Sequence, residues 1–395
     1  MRGSIMNISN KHVRVLIAVL ILIGFLPTAF GQQGSPSNIP AASTSAQQMK
    51  KAASVLMESL TQSQRDGILY EFTPENRTNW SNTPPFVHKR PGLRLASLTN
   101  IQRQAAHGLL RASLSSQGYQ KITGVMRLDS IHGARSLEEL DRNGPAEDDR
   151  IYVREEAESF GTGNYVIAIF GNPNSDHDWS WIIQGHHMGA NFTVSDGRTG
   201  FTPLFLGATP LVLEQGVLAG WSAMSHEVTR GFELIQSLDD AQRAVAIESN
   251  SPPDGLPAGV GQKNNIAKNQ GLHAADMSVQ QQRLLQILVE EYVRNSDFDA
   301  AEAQLAAIAE SGWEELWFEW QGQTENPKEP LFYRVQGERI LIELVQRPNH
   351  IHTIVRDPAN DYGEYWLNQI INEEYSSGDR FEAAIERYEM NGEAL

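Results

Sequence analysis

Apolar residues along positions 46–60 recur every three to four residues, through Met49, Ala52, Ala53, Leu56, Met57 and Leu60, which is the spacing of one buried helical face. Residues 97–115 repeat it through Leu98, Ile101, Ala105, Leu109, Leu110 and Leu114, with Gly118 as the stop, and a third helix is predicted over 121–131. Residues 135–150 are charged and contain Gly144-Pro145, which predicts a solvated loop. The pattern then changes. Residues 151–155, 165–170 and 179–194 read as strands, with turn chemistry at Gly171-Asn172-Pro173-Asn174. Residues 212–247 read as a broken helix and 278–310 as a helical pair. Strands return at 317–320, 331–335, 339–345 and 350–355, and a helical stretch over 362–388 closes the chain. Helices and strands are segregated rather than strictly alternating, and their connections are of hairpin length. This predicts an α+β fold with a largely antiparallel sheet and helices packed on it. The sequence shows no internal repeat, and no linker divides 46–395, so one large interleaved domain is expected.

Three segments fall outside this pattern. Arg2, Lys11 and Arg14 precede an apolar run over residues 15–26, followed by small residues at Ala29 and Gly31. At ~1.5 Å per residue a run of that length reaches about 18 Å, short of the roughly 30 Å of a hydrocarbon core. A signal peptide over 1–31, cleaved between Gly31 and Gln32, is therefore expected, with a secreted or periplasmic destination and no membrane span afterwards. Residues 32–45 are rich in Ser, Pro, Gln and Ala and read as a disordered linker. Residues 249–271 carry Pro and Gly with few large apolar side chains and read as a long flexible loop.

Charge and composition narrow the chemistry. The 395 residues carry 32 Lys and Arg against 48 Asp and Glu, a formal charge of −16 that becomes more negative once the basic leader is lost. Such a field repels polyanions and excludes nucleic acid as a partner, leaving an unknown small-molecule ligand or substrate. With no cysteine, thiolate catalysis, disulfides and cysteine metal sites are all excluded. A transition metal would have to be held by His, Asp, Glu or backbone oxygen.

Four of the 11 histidines fall in two short extended segments, His186-His187 and His350-Ile351-His352. On a strand, His350 and His352 project from one face together with Ile354 and Arg356, a two-point metal clamp. Adjacent residues on a strand take opposite faces, so at most one of His186 and His187 would join them. His187 shares the parity of Trp179, Trp181 and Ile183, and His186 that of Gln184 and Met188. Glu343 stands among apolar neighbours and needs a partner. A hairpin with Arg347-Pro348 at its tip would set Glu343 opposite His352. The sharp reading is a site for a divalent transition metal (Zn, Cu, Fe or Mn) on His350, His352 and His186 or His187. Glu343 would be a ligand or general base and Arg356 an anion clamp, in a hydrolytic or oxidative enzyme. The competing reading is a non-catalytic binding or structural protein in which Glu343 pairs with Arg334 or Arg356 and the cluster is a hydrogen-bond network. A shared site requires the two histidine segments to lie within about 10 Å of one another. Glu227, inside a helix on an interior face, is a weaker candidate for supporting a ligand. Trp179, Trp181, Trp317 and Trp320 read as core rather than as a sugar platform.

Several segments resemble, in order, a family catalogued as domain of unknown function 3500. They include Arg77 with Trp80, Arg90-Pro91-Gly92-Leu93, Leu114-Ser115-Ser116-Gln117-Gly118, Phe170-Gly171-Asn172-Pro173, Trp179-Ser180-Trp181 and Gly185-His186-His187. Phe205-Leu206-Gly207-Ala208 before Pro210, Phe318-Glu319-Trp320-Gln321-Gly322, Tyr333-Arg334-Val335-Gln336-Gly337, Glu343 and residues 350–363 continue the match. The resemblance implies an undivided domain and, in many members, a leader; it implies no activity. In that family a His-Tyr often follows the Asp-Tyr-Gly motif, where this chain has Gln369-Ile370.

Overall fold

A Thr, Ser or Asp followed three positions later by Gln recurs before five helices, at Thr44, Thr61, Thr99, Asp239 and Ser278, and each forms a capping box. These caps start the helices of a computed structural model that describes residues 44–85, 87–144, 154–155, 157–262 and 269–367. The expected leader, most of the linker and the expected helix beyond residue 367 lie outside the described residues, as do Gln369 and Ile370.

The first half of the chain runs α1 (Ser45–Ser59), α2 (Gln62–Ile68), β1 (Leu69–Tyr70), α3 (Pro74–Thr78), β2 (Leu93–Arg94), α4 (Asn100–Ser113) and α5 (Ser116–Asn143). Strands β3 (Val166–Phe170), β4 (Trp179–Gly185), β5 (Met188–Ser195), β6 (Arg198–Gly200) and β7 (Leu204–Ala208) follow. The second half repeats the order: α6 (Ser225–Ser237), α7 (Asp240–Ala246), β8 (Ile247–Ser249), β9 (Leu272–His273), α8 (Val279–Val293), α9 (Phe298–Ser311) and strands β10 (Trp317–Gly322), β11 (Leu331–Gln336), β12 (Leu341–Arg347) and β13 (His350–Arg356). A short α10 (Glu364–Leu367) comes last among the described residues.

The repetition extends to pairing. β1 runs parallel to β3 and β2 antiparallel to it, just as β8 and β9 pair with β10. The order β1-β3-β4-β5-β7-β13-β12-β11-β10-β8 reads alike from both ends, with the antiparallel β7–β13 pair at the middle. Side chains repeat as well. Gln102 donates to Gln64 Oε1 at 2.8 Å and to the Ser59 carbonyl at 2.9 Å; Gln281 donates to Gln242 Oε1 and the Ser237 carbonyl, both at 2.8 Å. Gly92 (φ 116°) and Gly271 (φ 90°) occupy equivalent turns, where a Cβ would come within 2.3 Å of the Ile167 carbonyl oxygen or 2.2 Å of that of Phe318. The described residues thus run twice through a similar order of elements and pairings, contrary to the expectation of no repeat. The matching residues are caps and turns scattered among unlike residues, too sparse to stand out in sequence.

The sheet is mostly antiparallel and the fold α+β, as expected. Its strands are buried on both faces. Helices cover the face bearing Trp179, Trp181, Phe192, Tyr333, Ile342 and Val355. The connections following β1 and β8 bring Trp80, Leu256 and Val260 onto the other face, against Phe205 and Ile354.

Four local expectations are corrected. α5 continues through residues expected to form a loop, its last turns still carrying buried Leu140. Of the strand expected over 151–155, Arg154 and Glu155 are helical and the rest lies outside the described residues. Residues 212–224 are turns, and helix begins only at Ser225. The long strand expected over 179–194 is a hairpin that turns at His186-His187.

Candidate metal centre

The tight β4–β5 turn brings the first two histidines into place. Gly185 pairs with Met188, leaving His186 and His187 as the two turn residues, with His187 at φ 64° in the left-handed region. That conformation costs a non-glycine residue about 1 kcal/mol and is one that tight two-residue hairpin turns call for. Because neither ring sits on a strand, face alternation does not separate them; they stack, with centroids 3.8 Å apart. The His187 N–H donates to the Asn82 carbonyl at 3.0 Å, its carbonyl accepts from Gly207 at 2.8 Å, and Tyr165 donates to the His186 carbonyl at 2.7 Å.

The second pair comes from β13. The hairpin preceding it turns at Pro348-Asn349, with Asn349 at φ 53°, so Arg347 pairs with His350 and Val345 with His352. The expected tip at Arg347-Pro348 is corrected, because proline's fixed negative φ suits the first turn position and asparagine tolerates the left-handed second one. Glu343 consequently faces Ile354 rather than His352.

β13 lies beside β7, and the hairpin turn carrying His187 folds over the same place. His187 Nε2 lies 2.9 Å from His350 Nε2, which lies 3.0 Å from His352 Nε2. The two segments meet well inside the ~10 Å that a shared site allows. Burial, and then the neighbouring imidazoles, hold His187 and His352 well below the usual histidine range, and the same causes lower His350 to about 4. All three rings are therefore neutral near pH 7, the form that binds metals. Hydrogen bonding accounts for only one of the two contacts at His350 Nε2. A neutral imidazole nitrogen either carries one proton or offers one lone pair, so His350 Nε2 can make one good hydrogen bond, yet it has two nitrogen neighbours. Nitrogens 2.9–3.0 Å apart are spaced as ligands of one ion at about 2.0–2.1 Å with angles near 90°.

His186 is held apart from this trio. Its Nδ1 lies 2.6 Å from Asp129 Oδ1, and the other Asp129 oxygen accepts the Gly161 N–H at 2.7 Å. Asp129, His186 and His187 form a second group close enough to hold an ion. His132 and Phe160 flank the His186 ring at 6.3 and 4.7 Å. Asp129 was not anticipated, although an acid on the apolar stripe of α5, four residues after Val125 and next to Leu128, is a readable signal. The three imidazoles and His186 open onto a cleft of about 380 Å³ that Phe205, Leu256 and Val260 also line.

Glu343 and Arg356 are elsewhere engaged. Glu343 accepts from Arg334 Nε at 2.9 Å and from the Ala258 N–H at 2.7 Å, and Arg334 also reaches Glu319 at 2.8 Å. Burial raises the Glu343 pKa, against the pull of Arg334 and the Ala258 N–H. Arg356 has no exposed surface; it pairs with Asp361 at 2.7 Å and donates to the Ala258 and Gly259 carbonyls. The expected ligand or base and the expected anion clamp are thus both held in the interior, where the apolar surroundings required partners and supplied them. Glu227 is also paired, with Lys121 at 2.8 Å. Trp179, Trp181 and Trp320 are core, while Trp317 is half-buried and stacks on His273.

Among the described residues, no helix is long and apolar enough to cross a membrane. No curated protein and no solved structure matches the chain. The order of motifs from the first helix to the Asp-Tyr-Gly turn places it in a sequence family all the same: it belongs to the family described as Protein of unknown function (DUF3500), which matches residues 42–364.

Proposed function

We propose that the protein binds one divalent transition metal through His187, His350 and His352 and is a metal-dependent enzyme. The observation that carries this reading is the convergence of three neutral Nε2 atoms, with two close nitrogen neighbours at His350 Nε2 where one hydrogen bond can form. An all-imidazole donor set suits Zn, Cu or Fe better than the harder Mg or Ca. Three protein ligands leave coordination positions free, the pattern of catalytic rather than structural sites, and here the cleft meets them. The Asp129–His186 pair supplies an oriented proton acceptor beside the ion, which favours hydrolysis over oxidation. The non-catalytic alternative accounts for Glu343 and Arg356, whose partners form a satisfied network, and leaves one of the two contacts at His350 Nε2 unexplained. We also read the protein as exported with its leader cleaved, on the strength of its basic and then apolar first thirty residues; peptides from residues 1–30 in the exported protein would overturn the cleavage, and absence of the protein from the exported fraction would overturn the export.

Elemental analysis of full-length mature protein, purified without a His tag or chelator, tests the metal. About one equivalent is expected in the wild type and less than about a tenth in His350→Ala/His352→Ala. A wild type already below about a tenth, unchanged in the variant, would overturn the reading.

A further inference from the structure

Residues 250–262, part of the segment expected to be a flexible loop, cross the histidine-bearing face of the sheet, and one of these residues, Ala258, is held through both its N–H and its carbonyl by buried charge. The Ala258 N–H donates to Glu343 Oε2 at 2.7 Å, and its carbonyl accepts from Arg356 Nε at 2.9 Å. The Gly259 carbonyl accepts from the same guanidinium at 2.9 Å. Glu343 and Arg356 are themselves anchored, by Arg334 and Asp361, and neither is exposed. Charge-assisted bonds in a dry interior are the strong kind, so this stretch of chain has a fixed height above the sheet. Two residues to either side of Ala258, Leu256 and Val260 line the cleft in front of the imidazoles.

An apolar wall beside free coordination positions discriminates among ligands by burying the part that does not touch the metal. We propose that Glu343 and Arg356 are positioning residues that act through Ala258 to set Leu256 and Val260 as the selectivity wall of the metal cleft. The ligand class that fits is a small organic molecule offering one neutral oxygen or nitrogen donor on a compact apolar body. This rests on the metal reading above. It also gives the two buried charges a role in recognition without contact to the ligand.

The test uses full-length mature protein loaded with cobalt(II), whose visible spectrum shifts when a ligand enters its coordination shell. Pyridine and 4-propylpyridine present the same donor atom and differ in apolar body. The wild type is expected to bind 4-propylpyridine about tenfold more tightly, a little over half of what full burial of three carbons would give. In Leu256→Ala/Val260→Ala, which removes no charge, the ratio falls towards one. In Arg356→Met it falls as well, and Arg356→Lys restores part of it. A ratio near one in the wild type, or a ratio that survives the double alanine variant, overturns the proposal while leaving the metal reading intact. Failure of cobalt to bind, or equal binding by His350→Ala/His352→Ala, removes both.

Discussion

Two clusters of polar side chains share one face of the sheet and meet burial in opposite ways. On β10, β11 and β12, Arg334 reaches Glu319 and Glu343 at 2.8 Å, and a backbone N–H takes the second Glu343 oxygen. Each charge there meets an opposite charge. On β13 and the β4–β5 turn, three imidazoles aim the same atom at one point, with no carboxylate among them. The first cluster is complete within the chain, whereas the second brings three nitrogens together, and His350 Nε2 can make one good hydrogen bond to only one of its two neighbours. On the metal reading proposed above, an ion would account for the contact that hydrogen bonds between the rings leave over.

The contrast breaks most visibly at Arg334. Replacing it with Met leaves Glu319 and Glu343 buried without their cation, and removing one partner of a buried pair costs about 3–5 kcal/mol. Chemical denaturation of Arg334→Met should show a loss of that order; a loss below about 1 kcal/mol would mean that the network is not a closed one. The histidine cluster should respond to metal instead. At a hundred times its Kd an ion adds about 2.7 kcal/mol to the wild type. Thermal denaturation should show that gain, its reversal by EDTA, and its absence in His350→Ala/His352→Ala. A gain of equal size in the double variant would place the ion elsewhere.

The same two clusters show what can be read from a chain and what cannot. Parity along β13 put His350, His352 and Arg356 on one face from sequence alone, and the apolar company of Glu343 demanded a partner, which Arg334 is. The four C-terminal strands were legible because alternation and turn residues are local. Register was not: Asn349 at φ 53° moves the turn by one residue and sets Val345, not Glu343, opposite His352. Nor was the stacking of His186 on His187, since strand alternation does not govern a two-residue turn. The carboxylate beside His186 comes from a helix 57 positions away in the chain, and only the packing of α5 on the sheet brings it there. The repeated order was hidden for a related reason, because the matching residues serve caps and turns scattered among unlike neighbours.

Glu343→Gln sharpens the comparison more gently. The amide oxygen can still accept from Ala258 or Arg334, so one charge is lost and the shape is kept, for an expected cost of about 1–2 kcal/mol. Urea denaturation should place this variant between the wild type and Arg334→Met. A cost equal to that of Arg334→Met would show that the Glu343 charge, and not the loss of the shared cation, carries the network.

The smallest change tests whether the histidine cluster depends on a residue that binds nothing. Gly207 lies on β7 directly opposite His352, and a Cβ there would come within 2.7 Å of His352 Cδ2, 2.9 Å of His187 Cδ2 and 2.8 Å of the Ile351 carbonyl oxygen. Two of the three collisions are with the proposed ligand rings. Gly207→Ala removes no donor atom, so any loss of metal must come from rings forced off their common point. Ligand geometry tolerates only a few tenths of an ångström, and about a tenfold loss of affinity is expected, ~1.4 kcal/mol. Competitive titration with a chromophoric chelator measures it. Unchanged affinity together with a lowered Tm would mean that β7 shifts away from β13 to relieve the third collision while the rings stay together. The cluster would then be held by the β4–β5 turn and not by the space beside Gly207.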